Sequence, residues 1–273
     1  MTFEELLATR SSADYADFFL PHVAPGSSVL DAGCGSGAIT VGLAEAAGHV
    51  IGIDLAEDFT DARDYAARHG IRNVEFQTGN VYMLNFPDDH FDACFCHSML
   101  EATDHPIDAL REIRRILKPG GVLAAASVDY GGLILAGPNY HLLRQFYDIR
   151  ERLWRITGSA DPYRGRGLRG LLTRAGFSDV VATSKYVCYG TAVAVRSFGI
   201  GRADDCQDDW YASASERHGL ATGKDLLAMT QAWLDWSESS ESYAAFAWCR
   251  AVGYKPTSQS LSVGESTCGR RSD

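Results

Sequence analysis

Three glycines at alternate positions, Gly33, Gly35 and Gly37, have the spacing in this sequence that most directly suggests chemistry. Glycine has no Cβ, so such a loop can turn tightly and bring backbone N–H groups against a ligand at the start of the next helix. Asp54 ends the next apolar run, about 20 residues after the first glycine, where a carboxylate can bind a ribose hydroxyl. Together, the loop and the acid predict a binding site for a nucleoside cofactor.

The glycine spacing by itself fits two classes of cofactor site. It matches G-x-G-x-G, and with Ala38 it also matches the looser G-x-G-x-x-A of dinucleotide sites. Asp31 separates the two classes, because an acid two residues before the first glycine would repel a pyrophosphate but suits a cationic ligand. S-adenosylmethionine carries a sulfonium and an ammonium group. We therefore favour S-adenosylmethionine over a nicotinamide dinucleotide.

The overall composition is that of an ordinary globular protein. Of the 273 residues, 46% are hydrophobic and 22% are charged, and we expect one elaborated domain. The net charge of −10 argues against a nucleic-acid partner, because phosphate binding needs clustered Lys and Arg. Residues 1–10 do not resemble a signal peptide, and no stretch reaches the ~18 apolar residues of a membrane span. We therefore expect a cytoplasmic protein without a membrane partner.

The seven cysteines are an odd number, and none of them has the spacing of a zinc site. Cys94 and Cys96 fall on one face of a predicted strand, but no second pair accompanies them. We therefore predict buried free thiols and no metal site.

Strand-patterned and helix-patterned segments alternate along the first half of the chain, which predicts a parallel sheet with crossover helices. Two helix-patterned segments, 3–10 and 13–20, precede the first strand and are interpreted either as a cap over the site or as packed surface helices. The alternating elements are strands at 29–31, 49–53, 74–77, from 91 onward and 122–128, and helices at 38–47, 57–69 and 107–117.

The second half of the chain has a weaker pattern. Between residues 190 and 241 it contains more than a minimal fold requires, including a T-x-x-D capping arrangement that begins at Thr222. The aromatic residues of this part suit either a substrate lid or the core of an insert, and we favour a lid. The predicted elements are helices at 139–156, 166–175, 208–218 and 225–236, a strand at 180–189 and a closing strand at 243–252.

Two stretches, VLDAGCGSG and VIGIDLAEDF, resemble the first two motifs of class I S-adenosylmethionine-dependent methyltransferases. Within that class, the chain resembles the ubiquinone/menaquinone-biosynthesis type of small-molecule methyltransferase over roughly residues 10–130. Asn80, Asn85 and Ala102 stand where that type has Asp, Pro and His. The matching residues are Leu84, Phe86 and Pro87 for its LPF segment, Leu100 and Glu101 for its LE pair, and Leu117 to Gly121 for its LKPGG segment.

The resemblance implies an α/β fold, with a Rossmann-like, seven-stranded, mostly parallel sheet and helices on both faces. It implies that the closing strand runs antiparallel, in the edge region of the sheet. It also implies that S-adenosylmethionine binds and leaves as S-adenosylhomocysteine. The implied divisions are an N-terminal helical cap (1–24), a cofactor-binding core (25–190), a helical insert (191–240), a last strand (241–256) and a disordered Ser-, Thr- and Gly-rich tail (257–273). The implied cofactor-binding residues are Asp31, Gly33, Cys34, Gly35, Gly37, Asp54, Leu55, Asn80, Val81 and Cys96.

The methyl group of this cofactor is already activated, so the protein must hold an acceptor in line, exclude water and, for a hydroxyl or protonated amine, remove a proton. Residues at the carboxyl ends of the fourth and fifth strands face that position in an open α/β sheet. His97, which follows the apolar run 91–96, is predicted to be the general base. The predicted acceptor-binding residues are Tyr15, His97, Asp129, Tyr130 and His141.

The predicted function is metal-independent methyl transfer to an oxygen, nitrogen or carbon of a small molecule, in secondary metabolism or cofactor biosynthesis, by a monomer or homodimer. One alternative is a protein of this fold that binds the cofactor without methyl transfer, in a binding or cyclase role. An NAD-dependent dehydrogenase is a weaker alternative, because the LPF-like and LKPGG segments have no place in it. Methylation of protein or nucleic acid is disfavoured by the charge and by the lack of an acceptor motif such as N-P-P-Y.

Overall fold

The computed structural model describes residues 11–257 of the chain. The strands within these residues are β1 (Ser28–Ala32), β2 (His49–Asp54), β3 (Val74–Thr78), β4 (Phe91–His97), β5 (Leu117–Ala136), β6 (Ser178–Tyr189) and β7 (Tyr243–Tyr254). They form one seven-stranded sheet in the order β3-β2-β1-β4-β5-β7-β6. Helices lie on both sides of this sheet, which confirms the predicted α/β class.

Two helices begin at the N-terminal signals that the sequence contains. Pro106 lies in the first turn of its helix, where the missing N–H has no partner to lose. Thr222 and Asp225 form the expected capping box. The helices that the structure describes are α1 (Ser12–Tyr15), α2 (Ala38–Ala44), α3 (Thr60–Arg68), α4 (Pro106–Ile116), α5 (Tyr140–Thr157), α6 (Arg164–Arg174), α7 (Ala192–Asp205), α8 (Asp209–Arg217) and α9 (Gly223–Glu238).

The central strands are parallel, so their carboxyl ends meet at one edge of the sheet. β1 pairs with β2 and β4 in a register that sets Asp31 opposite Gly52 and Phe95. β2 also pairs with β3, and β4 with β5, in parallel. Val29 and Leu30 of β1 are fully buried, as expected for a parallel strand covered on both faces.

The closing strand, β7, is antiparallel to its neighbours, as the resemblance implied. Near the start of β5, the Gly120 N–H donates to the carbonyl of Lys255, which follows the end of β7. The Lys255 N–H in turn donates to the Gly121 carbonyl. At the start of β6, the Ser178 hydroxyl donates to the Tyr254 carbonyl at 3.3 Å. The end of β7 therefore lies beside the starts of both β5 and β6.

The described chain divides into two compact units. The first, which we call the core unit, comprises residues 11–127, Gly167–Thr183 and 250–257 and contains β1 to β4. The second, which we call the helical unit, comprises Val128–Arg166 and Ser184–Cys249 and contains α5, α7, α8 and α9. The 191–240 segment is thus grouped with α5 in the helical unit.

The N-terminal segment differs from the predicted helix at 13–20. Helix α1 ends at Tyr15, and a short 3-10 turn follows at Leu20–His22. Pro21 lies in the first turn of this 3-10 segment, where its missing N–H has no partner to lose. The other predicted N-terminal helix, 3–10, and the predicted tail from residue 258 onward lie outside the described residues.

Two further elements differ from the sequence prediction. β5 spans Leu117–Ala136 rather than 122–128, so Asp129 and Tyr130 lie within this strand and the prediction that they stand at its carboxyl end was wrong. Its early start comes from the pairing of Leu117 with Phe91, after which a register shift occurs in β4. Helix α7 was not predicted, since its sequence AVAVRSFGIGRADD has no clear helical period of apolar residues. Its Gly199 packs closely against α9, where an added Cβ would lie 2.6 Å from the Cβ of Ser237.

The aromatic residues of the 191–240 segment are largely buried within the helical unit. Tyr211, Trp233 and Trp236 are fully buried. The ring of Phe146 in α5 lies 4.8 Å from that of Tyr211 and 5.6 Å from that of Trp233, measured between centroids. These rings form a core for the helical unit, which is the second of the two interpretations that the sequence allowed. A lid role for the segment stays a prediction.

Candidate functional site

The carboxyl ends of β1, β2 and β4 bring several predicted site residues of the core unit to one edge of the sheet. The glycine loop follows β1, Asp54 ends β2 and His97 ends β4. Ligands of open α/β sheets bind at this edge. Residues that are far apart in the chain therefore border one candidate site.

The glycine loop is fastened to the end of β2. The N–H groups of Gly33 and Cys34 both donate to the Ile53 carbonyl, at 2.8 and 3.0 Å. The Gly35 N–H donates to Asp54 Oδ2 at 2.9 Å. The three loop glycines have φ values of +84°, +50° and +75°. Because residues with a Cβ avoid this conformation, the path of the loop requires glycine.

The loop glycines differ in what surrounds them. An added Cβ at Gly33 would lie 2.7 Å from the Cβ of Met99, and one at Gly37 would lie 2.7 Å from the Cβ of Ala62. An added Cβ at Gly35 would meet no atom within 4 Å. The backbone at Gly35 therefore borders open space, where a ligand can contact it directly.

Asp31 is a buried carboxylate with one short side-chain contact. It is 2% exposed, and the hydroxyl of Thr40 in α2 donates to its Oδ2 at 2.7 Å. Burial raises the pKa of Asp31 to about 7, the Thr40 hydrogen bond lowers it in part, and the charge of Asp54 raises it. A cation bound beside Asp31 would stabilise the ionised carboxylate. The site therefore suits an ammonium or sulfonium group.

Asp54 is half-buried and has capacity for further hydrogen bonds. Its Oδ2 accepts from the loop at Gly35, and its Oδ1 accepts from the Ala56 N–H at 3.3 Å. Each carboxylate oxygen can accept more than one hydrogen bond. Asp54 can therefore bind ribose hydroxyls while it continues to hold the loop.

The other predicted cofactor residues on this side follow β2 and β3, which are parallel and paired to their ends. Leu55 is 72% exposed and Met83 is 77% exposed, and Val81 is half-buried. The Oδ1 of Asn80 accepts from the Tyr82 N–H at 2.9 Å and so supports a local turn. Leu55, which directly follows Asp54, and Met83 thus offer exposed apolar surface in the segments that follow β2 and β3.

The two cysteines predicted to contact the cofactor are enclosed thiols. Cys34 is 9% exposed and Cys96 is 1% exposed. Burial, together with the charge of Asp31, raises the pKa of both thiols well above its ordinary range, so neither is a nucleophile near neutral pH. The other free thiols in residues 11–257 are buried Cys94 and Cys206, partly buried Cys249 and exposed Cys188.

The imidazole of His97 is enclosed by aromatic rings and is 6% exposed. The ring of Tyr15 meets it edge-on at 5.1 Å between centroids, and the ring of Phe95 is stacked at 6.2 Å. Tyr15 belongs to α1, so this helix contacts the carboxyl end of β4. A cap role for the N-terminal segment stays a prediction. The two predicted acceptor-binding residues of the core unit are therefore in contact with each other.

A third predicted acceptor-binding residue, Asp129, lies in the helical unit and is bound by Arg166. The guanidinium donates from Nε to Oδ2 at 2.7 Å and from Nη2 to Oδ1 at 2.6 Å, and the backbone N–H groups of Arg166 and Gly131 also donate to this carboxylate. Burial would raise the pKa of Asp129, but these contacts outweigh it and hold the pKa below its ordinary value. Asp129 is thus ionised and engaged, and Arg166 is the exposed member of the pair.

The remaining two predicted acceptor-binding residues are also in the helical unit. Tyr130 is half-buried, with the ring centroids of Trp154 and Phe246 at 4.9 and 5.7 Å. His141 is exposed on α5. Tyr130 therefore offers an aromatic surface, and an acceptor-binding role for either residue stays a prediction.

Sequence reasoning missed two polar pairs of the core unit. One is the hydrogen bond of Thr40 to Asp31, and the other is that of the buried Ser127 hydroxyl to Glu101 Oε2 at 2.6 Å. The Thr40 hydroxyl lies in the first turn of the helix that follows the glycine loop, and this position could have indicated a hydrogen bond to Asp31. No local pattern predicts the second pair, because it joins residues that only the pairing of β4 and β5 brings together.

Residues 11–257 contain neither a cluster of metal ligands nor a candidate membrane span. Within that range, no group of three or more His, Cys, Asp or Glu side chains is placed to hold a metal ion. In the same part of the chain, no helix combines the length and apolar character needed to cross a bilayer. Metal-independent chemistry therefore stays a prediction that chelation can test.

Residues 30–125 match the methyltransferase domain family. The matched segment begins in β1 and ends in β5, and it contains the glycine loop, Asp31, Asp54 and His97. The predicted resemblance to a methyltransferase domain is thereby confirmed for this part of the chain.

Related proteins of known sequence include a probable methyltransferase, ltbC, of Aspergillus luteorubrus, 39% identical over 44% of this chain and 46% of that protein. A 2-phytyl-1,4-naphtoquinone methyltransferase of Synechococcus elongatus is 34% identical over 50% of this chain and 58% of that protein. The chain thus spans about half the length of these relatives. Among solved structures, the YcgJ protein of Bacillus subtilis shares the fold with a TM-score of 0.58, at 17% identity over 88% of this chain and 97% of that chain.

Proposed function

We propose that this chain, whose residues 30–125 belong to the methyltransferase domain family, transfers the methyl group of S-adenosylmethionine to a small-molecule acceptor. The observation that carries the proposal is the pair of carboxylates at the glycine loop, with Asp31 buried and Asp54 holding the loop. A pyrophosphate would bring negative charge against Asp31, whereas S-adenosylmethionine brings positive charge. The name of the Synechococcus relative, a naphtoquinone methyltransferase, supports a small-molecule acceptor.

The residues present fit this cofactor. Asp31 would balance the charge of its amino-acid part, and Asp54 would accept hydrogen bonds from its ribose. The open space at Gly35 lets the cofactor approach the backbone. Leu55 would pack on the purine ring, and the Asn80 amide can accept from the adenine amino group. When bound, S-adenosylmethionine supplies a methyl group activated by its positively charged sulfur.

His97 is the proposed general base. Its ring is held between Tyr15 and Phe95, which fixes its orientation and limits access of water. It can take the proton of a hydroxyl or ammonium acceptor as that atom becomes a nucleophile. A carbon acceptor that is activated by its own ring would not need this step.

The proposal is tested first by calorimetry of the full-length protein with S-adenosylmethionine, S-adenosylhomocysteine and NAD. We expect binding of the two adenosyl compounds and none of NAD. Transfer of a radiolabelled methyl group is then measured against a panel of phenols, amines and quinols. Because the methyl group is already activated, transfer should be unchanged by EDTA.

Each contrary outcome has a distinct meaning. Binding of NAD in place of S-adenosylmethionine would overturn the methyltransferase assignment. Loss of transfer in EDTA that magnesium restores would contradict the metal-independent mechanism alone. Cofactor binding with no transfer to any acceptor would favour the binding or cyclase alternative.

The affinity for S-adenosylmethionine is expected to rise about five- to tenfold between about pH 6 and pH 7.5. With a pKa of about 7, Asp31 is mostly protonated at the lower pH and mostly ionised at the higher one. A cationic ligand gains from the ionised carboxylate only, so its binding releases a proton at the lower pH. Calorimetry in buffers of different ionisation enthalpy measures both the affinity and the released proton.

A matched control for this pH dependence is 5′-methylthioadenosine, which keeps the nucleoside but lacks the sulfonium and the amino acid. Its affinity should not rise over the same range. In a folded Asp31→Asn variant, the rise for S-adenosylmethionine should disappear. An equal rise for both ligands, or a rise that persists in the variant, would show that Asp31 does not bind the cationic part.

A further inference from the structure

Two arginines of the helical unit share one carboxylate in a nearly closed environment. Arg150 Nη1 lies 2.8 Å and Arg202 Nη2 lies 3.1 Å from the same oxygen, Asp205 Oδ2. The side chains of Arg202, Arg150 and Asp205 are 8%, 13% and 17% exposed. The group therefore carries one excess positive charge, and buried charge is costly unless it is balanced.

Several hydrogen-bond donors near Arg202 and Asp205 have no acceptor among residues 11–257. Within residues 11–257, the Nε atoms of Arg150 and Arg202 and the hydroxyl of Tyr147 are buried without a hydrogen-bond partner. Burial raises the pKa of Tyr147 above its ordinary range, although the charge of Arg202 opposes this, so the hydroxyl keeps its proton. Buried donors are nearly always satisfied in native proteins, because desolvating them without an acceptor is costly. The unmatched donors and the excess charge both favour an anionic ligand at this position.

Aromatic rings form much of the surroundings of Arg202. Its guanidinium lies 5.2 Å from the ring centroid of Phe198. Tyr130 and Tyr189, which are half-buried, interact electrostatically with Arg202. Their ring centroids lie 5.7 and 6.2 Å from that of Phe246. A planar aromatic ligand can pack against such rings edge-on or in an offset stack.

We propose that Arg202 and Tyr147 bind the oxyanion of a planar aromatic small molecule, a carboxylate or phenolate, among the rings of the helical unit. The anion would balance the excess charge and accept the hydrogen bond of the Tyr147 hydroxyl. Arg150 alone would neutralise the charge of Asp205. If these side chains only stabilised the fold, the buried charge of Arg202 would have no explanation.

Benzoate and benzamide are suitable probes, because they have nearly the same shape and differ in charge. Each is titrated calorimetrically into the full-length protein at constant ionic strength. We expect benzoate to bind, and benzamide to bind at least about tenfold more weakly, since hydrogen bonds between charged groups are the stronger ones.

The variant Tyr147→Phe removes only the unmatched hydroxyl. It should weaken benzoate binding by about tenfold or more, while the melting temperature stays the same or rises. Tyr211→Phe is the matched control, because the Tyr211 hydroxyl donates to the Phe146 carbonyl at 3.0 Å. That control should lower the melting temperature and leave the affinity for benzoate unchanged.

The proposal is overturned if benzoate and benzamide bind equally, if neither binds at millimolar concentration, or if Tyr147→Phe leaves the benzoate affinity unchanged. Binding of S-adenosylhomocysteine is measured on the same samples, to separate this proposal from the proposed function. Cofactor binding without benzoate binding removes the anion site only. Benzoate binding without cofactor binding supports the anion site and removes the methyltransferase assignment.

Discussion

Replacing His97 by alanine is expected to lower kcat by about 10²–10⁴ with the true acceptor, while the affinity for the cofactor changes by only a few fold. The imidazole ends β4 at the edge of the sheet where ligands bind, and Tyr15 and Phe95 hold its ring. Without it, a hydroxyl or ammonium acceptor must lose its proton to water. Initial rates measured between about pH 6 and pH 9 test this expectation.

His105→Ala is the matched control, because His105 is exposed and precedes α4. It should leave kcat unchanged. If His97 only packs against its aromatic neighbours, its removal should lower the melting temperature and leave kcat nearly intact. A folded His97→Ala protein that methylates its acceptor at the parent rate across this pH range would rule out the general base.

Replacing Asp54 by alanine is expected to weaken binding of S-adenosylmethionine by about tenfold to more than a hundredfold. A hydrogen bond from a ribose hydroxyl to a carboxylate contributes about 1.5–3 kcal/mol, which corresponds to this range. The same carboxylate accepts from the Gly35 N–H at 2.9 Å, so its loss also loosens the loop that borders the ligand. Calorimetry with S-adenosylhomocysteine provides a measurement free of turnover.

Asp58→Ala serves as the control for Asp54→Ala. Asp58 is an exposed acid close in sequence, and its hydrogen bonds are local ones, from the N–H and hydroxyl of Thr60. Its replacement should leave the cofactor affinity unchanged. Unaltered affinity in a folded Asp54→Ala protein would remove Asp54 from the site.

The strands of the core unit could be predicted because they are central and parallel. Buried on both faces, such strands are continuous apolar runs that end in glycine or polar residues. Segments 29–31, 49–53 and 74–77 accordingly lie within β1, β2 and β3. Helix α7 was not predicted, because its small and apolar residues follow no helical period. Its close packing on α9 at Gly199 is visible only in the structure.

The glycine loop could be predicted because its requirement is local. Positive φ angles at Gly33, Gly35 and Gly37 depend on the conformation of the loop itself. The hydrogen bonds from Thr40 to Asp31 and from Gly35 to Asp54 needed the structure, since the pairing of β1 with β2 and the direction of α2 decide them.

The sequence by itself determined the succession of strands and helices along the first half of the chain and indicated the class of cofactor. Alternating strand and helix patterns, capping residues and loop glycines are all properties of short segments. Only the tertiary structure decided that Asp129 is held by Arg166 and that Arg150 and Arg202 share one carboxylate. Asp129 and Arg166 are 37 residues apart and Arg150 and Asp205 are 55 apart, whereas Arg202 and Asp205 are neighbours on α7. Whether a charged side chain is paired, enclosed or available to a ligand depends on which distant groups the fold brings within hydrogen-bond distance.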